Sequence, residues 1–214
     1  MFKKIIQQIK SFFKKQKQTI VDNPVDKLPV EEIKPKKKRI GIIVGHERDA
    51  PGAEMMNFGF YEYQYNTEIA NLAYNYGKDL FDIFIIYRDG IGINGAYRKA
   101  SDLMLDAVIE LHFNSYNTKV NGTETLCSHK KEDIDIALVF QKNICSVFSR
   151  VGISRGITDI SFSDRGGQSV TSFNGPNCLV EPFFGDNKED ATKAMNLKNE
   201  YAIALIKSFK EYLK

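Results

Sequence analysis

The alternation of short β-branched runs with longer helix-period segments constrains this chain more than any other feature. "RIGIIVGH" (39–46), "DIFIIYRD" (82–89), "VIELHF" (108–113), "TETLCS" (123–128) and "NCLVEPF" (177–183) read as strands. The first is continuously apolar, as expected of a strand covered on both faces. Between these runs, apolar residues recur at helical spacing. Ile69, Leu72, Ala73, Tyr76 and Leu80 line one face of 63–81, and 94–107 reads as a second helix. Ile134, Ala137, Leu138, Cys145, Phe148 and Val151 line 133–151, and Ala191, Ala194, Met195, Ala202, Leu205, Ile206 and Phe209 line one long last helix over 188–213. Strands alternating with helices predict an α/β fold, here a single domain. The expected sheet is mostly parallel, twisted and about six strands wide, with helices on both faces.

Charge divides the chain in the same place as pattern does. Residues 1–38 hold eleven lysines against Asp22, Asp26, Glu31 and Glu32, a net of +7. Residues 39–214 hold 19 basic and 23 acidic side chains, a net of −4, so the domain itself is slightly acidic. Nucleic acid is therefore not an expected partner, because a basic patch belongs on the domain that binds it. Within 1–20, Phe2, Ile5, Ile6, Ile9, Phe12 and Phe13 form one helical stripe with lysines opposite,. Such a segment reads either as an anchor for a membrane surface or anionic wall polymer, or as a solvated arm or a helix docking on another subunit. Residues 21–38, with three prolines and mixed charge, read as a linker to the domain at 39–214. Cys127, Cys145 and Cys178 have no paired spacing and fit small core residues,. No run of about 18 apolar residues suggests a membrane-spanning helix, and polar residues interrupt the N-terminus before a signal-peptide core can form.

The chain has three histidines, and two of them end apolar strands: His46 after "IGIIVG" and His112 after "VIEL". Glu181 ends "CLVE" in the same manner. In parallel α/β sheets functional groups collect at the carboxyl ends of strands. Glu68, in the first turns of the helix after the first strand, is the further acidic candidate at that end. Two imidazoles and a carboxylate form an open zinc site with a free position for water, and Glu181 would then act as general base. Each residue also has an ordinary explanation: a hydrogen-bonded histidine at a strand end, or a glutamate complementing a helix dipole. Glu181 is harder to explain so, since an ionised carboxylate is costly to bury without a partner. Spacing alone makes no short motif.

"IGIIVGHERDAPGA", "NTEIANLA", "AVIELHFNS", "NGTETLCS" and "PNCLVEPFFGDN" occur in the order and approximate spacing of the zinc-dependent N-acetylmuramoyl-L-alanine amidases (type 3 amidases), and the chain resembles that family over about 39–214. The resemblance implies hydrolysis of the bond between N-acetylmuramic acid and the first alanine of peptidoglycan. It implies one Zn2+ per chain on His46, Glu68 and His112, with Glu181, in its "VE-x-x-F" context with Phe184, as the catalytic glutamate. Asn114, Arg98 and Glu47 are the expected substrate contacts, and "SRGI" (154–157) also matches family positions. Where relatives commonly have glycines after the first histidine, this chain has Glu47, Arg48 and Asp49, which alters the expected groove. The Gly- and Ser-rich stretch 162–176 reads as a mobile loop beside the cleft or an ordinary surface excursion, and His129 as exposed and uninvolved. Glu110 has no role in this scheme beyond pairing with a basic residue or orienting an imidazole.

The alternatives are another zinc hydrolase on the same scaffold, a carboxypeptidase or deacetylase, or a non-catalytic wall-binding or virion component. The expected setting is a phage endolysin, made in the cytoplasm and reaching the wall through a partner pore. A bacterial wall enzyme exported by another route is the second choice.

Overall fold

A computed structural model describes residues 36–148 and 154–214. The amphipathic segment 1–20 and nearly all of the linker lie outside the described residues. Along the chain, β1 (Arg39–Val44) leads through a small hairpin, β2 (Glu54–Met55) and β3 (Phe60–Tyr61), into α1 (Glu62–Gly77). There follow β4 (Asp82–Tyr87), α2 (Gly92–Asp102), β5 (Ala107–Leu111), β6 (Thr123–Cys127) and α3 (Lys131–Phe148). The chain ends with β7 (Ser154–Asp159), α4 (Gly167–Thr171), β8 (Asn177–Glu181), α5 (Lys188–Asn196) and α6 (Lys198–Tyr212).

The six-stranded sheet runs β4-β1-β5-β8-β6-β7. β4, β1, β5 and β8 are mutually parallel, and the β6–β7 pair runs antiparallel to β8. This is the α/β domain with a mostly parallel sheet that the pattern predicts. The period-2 alternation of side chains sorts the core. Ile42, Val44, Ile109, Leu111, Cys178 and Val180 pack on one face with Ile69 of α1, Phe140 of α3 and Leu205 of α6. Ile43 and Val108 pack on the other face with Ala96, Tyr97 and Ala100 of α2 and with Phe173. Each fully buried Ile or Phe contributes about 1.5–3 kcal/mol. By the same alternation Glu110, His112 and Glu181 fall on the α2 side.

Two local readings are corrected and one strand is added. The last helix is two helices, broken at Leu197 (φ −113°, ψ 22°). The break is invisible in the pattern because the stripe Ala191, Ala194, Tyr201, Ala202 and Leu205 stays in phase across it. β7 carries a single strongly apolar residue, Ile157, and forms a largely exposed edge, so no alternation announces it. The stretch 162–176 contains α4 rather than being only a loop. α4 is anchored: Gln168 donates to Asn94 on α2 (2.9 Å) and Asn177 donates to the Ser169 carbonyl (2.9 Å).

Candidate metal centre and active site

The paired register Val44–Leu111–Val180 continues one residue further, to Gly45 and His112 just past β1 and β5 and to Glu181, the last residue of β8. Gly45 N–H donates to the Leu111 carbonyl (3.0 Å) and His112 N–H to the Val180 carbonyl (3.1 Å). A glycine is required at position 45. A Cβ there would stand 2.3 Å from the Leu111 carbonyl oxygen and 2.5 Å from His112 Nε2. His46 next in sequence takes the left-handed conformation (φ 66°), which costs a non-glycine residue about 1 kcal/mol. That turn swings its imidazole back, so that the two rings meet edge to face with centroids 5.0 Å apart.

The third donor is Glu62, not Glu68. Its Oε2 lies 3.1 Å from His46 Nε2 and its Oε1 2.8 Å from His112 Nδ1. Donor atoms of His46, Glu62 and His112 all lie within 4.8 Å of one another. Glu62 is held by Phe113 N–H on Oε1 (3.0 Å) and by Ala53 N–H on Oε2 (3.3 Å). Glu68 instead pairs with Lys198 (2.7 Å) at the surface, its side chain 43 % exposed. Helix geometry separates them: six residues turn the helix by about 240° and advance it about 9 Å. The buried stripe of α1 is Glu62, Asn66, Ile69 and Ala73, so extending Ile69 and Ala73 back by whole turns would have found Glu62 from sequence.

Glu110, unexplained in the sequence, is fully buried and saturated with partners. Its Oε1 accepts from Arg88 (2.8 Å) and contacts His112 Nε2 (3.1 Å), and its Oε2 accepts from the Tyr97 hydroxyl (2.8 Å). It therefore does both things considered for it, pairing with a base and orienting an imidazole. Burial alone would push the Glu110 and Glu62 carboxyls up, but hydrogen bonds and charge from the histidines, with Arg88 on Glu110, hold both at about 2. Burial would likewise push His112 down, yet the two carboxylates raise it to about 10. The cluster is thus built to hold positive charge at the point where Glu62 and the imidazoles converge.

Glu181 is the opposite case. It is 6 % exposed, and its Oε2 has no hydrogen-bond partner. Burial, with a smaller contribution from the neighbouring Glu62 and Glu124 charges, raises its carboxyl to about 8 despite His112 and Arg165. Glu124 on β6 lies directly across the ladder from it. A cleft of about 340 Å³ opens over His46, His112 and Glu181. Its walls include Asn114, Arg88, Glu124, Arg165 and Ser169.

Of the expected substrate contacts, only Asn114 lines this cleft. Glu47 lines a separate depression of about 280 Å³ with Arg48, Asp49 and Asp89. Arg98 is exposed on α2, because Tyr97 beside it takes the buried position and a helix turns neighbours about 100° apart,. The arginines of the cleft are Arg88 and Arg165, neither singled out from sequence. His129 is exposed, as expected, and pairs with Asp159 (2.7 Å). Of "SRGI", Arg155 lies over the Phe184 ring, 5.5 Å from its centroid.

A family model described as N-acetylmuramoyl-L-alanine amidase matches residues 40–210. The fold is similar to that of N-acetylmuramoyl-L-alanine amidase from Clostridium difficile 630, with a TM-score of 0.73 at 21 % identity over 83 % of this chain and 97 % of that one. It is also similar to the catalytic domain of CwlV, an N-acetylmuramoyl-L-alanine amidase from Bacillus (Paenibacillus) polymyxa var. colistinus (TM-score 0.72, 21 % identity, 82 % and 98 % of the two chains). The catalytic domain of an endolysin targeting Clostridia difficile matches with a TM-score of 0.68 at 24 % identity, over 81 % and 97 %. At these identities the likeness is one of fold. No curated protein matches the chain.

Proposed function

From the premise that this chain belongs to the N-acetylmuramoyl-L-alanine amidase family, which hydrolyses peptidoglycan at the amide between N-acetylmuramic acid and L-alanine, we propose that it does so as a zinc enzyme. His46, Glu62 and His112 would hold the ion, and Glu181 is the general base. The observation that carries this is the convergence of three donors within 4.8 Å beside a buried carboxyl whose Oε2 is unpartnered. Two nitrogens and one carboxylate oxygen are a donor set suited to zinc, with a position left for water. The preference of the cluster for positive charge fits a cation.

A zinc ion held by His46, Glu62 and His112 would supply an activated water and polarise the scissile carbonyl,. Glu181 takes the proton from the attacking water and returns it to the departing alanine nitrogen. Its raised proton affinity suits both halves of that task. Glu110, bound to Arg88 and Tyr97, fixes the His112 ring so that Nδ1 faces Glu62. Asn114, on the cleft wall, offers an amide to the substrate. The basic amphipathic segment 1–20 would add contact with an anionic membrane surface or wall polymer, consistent with an enzyme acting on the wall after release from the cytoplasm.

Digestion of purified sacculi tests the reading. New alanine amino termini with zinc near one per chain are expected, and Glu181→Gln should abolish product while keeping the metal. Release of D-alanine or acetate instead would assign a carboxypeptidase or deacetylase. Binding of sacculi without any cleavage would leave a non-catalytic component. Deleting residues 1–38 should weaken sacculus binding at low salt, where charge is least screened.

A further inference from the structure

We propose that Arg165 is a specificity residue of the cleft, which pairs with a free carboxylate on the stem peptide and so favours peptidoglycan whose second residue is not amidated. The inference rests on the amidase reading above.

The charges of the cleft single out this residue. Arg88 is consumed by Glu110, at 2.8 Å and largely buried. Glu124 has Arg155 at 3.6 Å and accepts from the Thr158 hydroxyl at 3.0 Å. Glu62 belongs to the histidine cluster. Arg165 lines the same cleft as His46, His112 and Glu181, is exposed, and among the described residues has no ion pair or side-chain hydrogen bond. It is the arginine of the cleft whose guanidinium has no ion pair or hydrogen bond among the described residues, beyond the field it exerts on Glu181. A guanidinium presents a planar fork of donors matched to a carboxylate, which an isolated hydrated lysine does not.

Its placement is fixed rather than accidental. Gly166, the next residue, is left-handed (φ 82°), and a Cβ there would already stand 3.2 Å from Leu126. Before it, Asp164 accepts from Ser161 N–H (2.7 Å) and from Gly167 N–H through its carbonyl (2.9 Å). After it, Gln168 and Ser169 tie α4 to α2 and β8. Backbone on both sides of Arg165 is therefore held, and the side chain projects from a braced wall into the space beside the reacting group.

The ligand class follows from the substrate. A stem peptide attached through L-alanine carries carboxylates close to the scissile amide, and amidation of the second residue removes one of them while changing little in size. A charge-assisted hydrogen bond to a partly exposed arginine favours the acid by about tenfold.

The test compares two muramoyl tripeptides that differ only in whether the second residue's α-carboxyl is free or amidated, with the zinc-loaded full chain. The native protein is expected to favour the free acid about tenfold in kcat/KM, mostly through KM. Arg165→Gln should collapse that ratio to about one, and Arg165→Glu should invert it. A residue acting only through Glu181 would slow both substrates alike, so a ratio preserved in Arg165→Gln overturns the proposal, as does a native enzyme that cleaves both equally. Failure to cleave either substrate would instead bring down the amidase reading on which the proposal stands.

Discussion

Glu181→Gln should stabilise the metal-free protein at alkaline pH while abolishing activity. The Glu181 carboxyl titrates at about 8 in the fold against an ordinary value of 4.5. Below pH 4.5 folded and unfolded chains both carry its proton, and it costs nothing. Between 4.5 and about 8 the folded chain keeps a proton that the unfolded chain has lost, so stability falls as pH rises. Above 8 both are ionised and the full cost of the buried charge is present. At about 1.4 kcal/mol per pH unit, that cost approaches roughly 5 kcal/mol, and the residue is too deeply buried for solvent to discount it much. Other groups titrate as well. His112, raised to about 10, loses its contribution as pH rises from 6.5, and Glu62 and Glu110, lowered to about 2, lose theirs only in acid. Subtracting the Gln variant removes these except for the part that His112 and Glu62 share with the Glu181 charge. Urea unfolding in EDTA at pH 5, 6, 7 and 8.5 should show the variant gaining several kcal/mol on the native chain across the series. A bound zinc ion favours the carboxylate, so saturating zinc should shrink the difference. Parallel curves for the two proteins from pH 5 to 8.5 would refute the assignment of Glu181 as a buried carboxyl of raised proton affinity.

Glu62→Gln should drop bound zinc well below half an equivalent by elemental analysis, whereas Glu68→Gln should keep it and cost about 1 kcal/mol, the worth of a partly exposed ion pair such as that with Lys198,. Gly45→Ala forces a methyl against the Leu111 carbonyl and the His112 ring; it should destabilise by about 1–3 kcal/mol in urea and weaken zinc binding in a competitive chelator titration. Glu110→Ala leaves the Arg88 guanidinium buried without its partner; a loss of about 3–5 kcal/mol is expected in urea. In the folded fraction, zinc affinity should fall about 10–100-fold, as for other groups that orient a metal-binding histidine.

How much could be read without coordinates depended on whether a residue obeyed the local period. His46, His112 and Glu181 were legible because each is a polar residue ending an apolar run, and in a parallel sheet run-ends meet. Glu62 was missed because it sits where the period is being established, at the first position of α1, after a hairpin too short to register. The family-like "NTEIANLA" points to Glu68, one helical face away. Glu47 and Arg98 lie off the wall of this cleft for a related reason. Neighbourhood in sequence to a residue of the site such as His46, or to a buried one such as Tyr97, says nothing of direction, and on a turn or helix the next residue points elsewhere.

Arg88, Glu110 and Arg165 could not be read at all, because what distinguishes them is pairing. Arg88 and Arg165 are both arginines beside a strand or turn, and the sequence ranks them equally. Only the fold shows that Glu110, two residues before His112 on the same face, claims Arg88, while Arg165 has no ion pair among the described residues. The charge balance of the cleft is then a consequence of strand alternation: placing Glu110 beneath His112 draws one cation inward to hold the imidazole. The other arginine, Arg165, stays on the cleft wall beside Gly166 and α4.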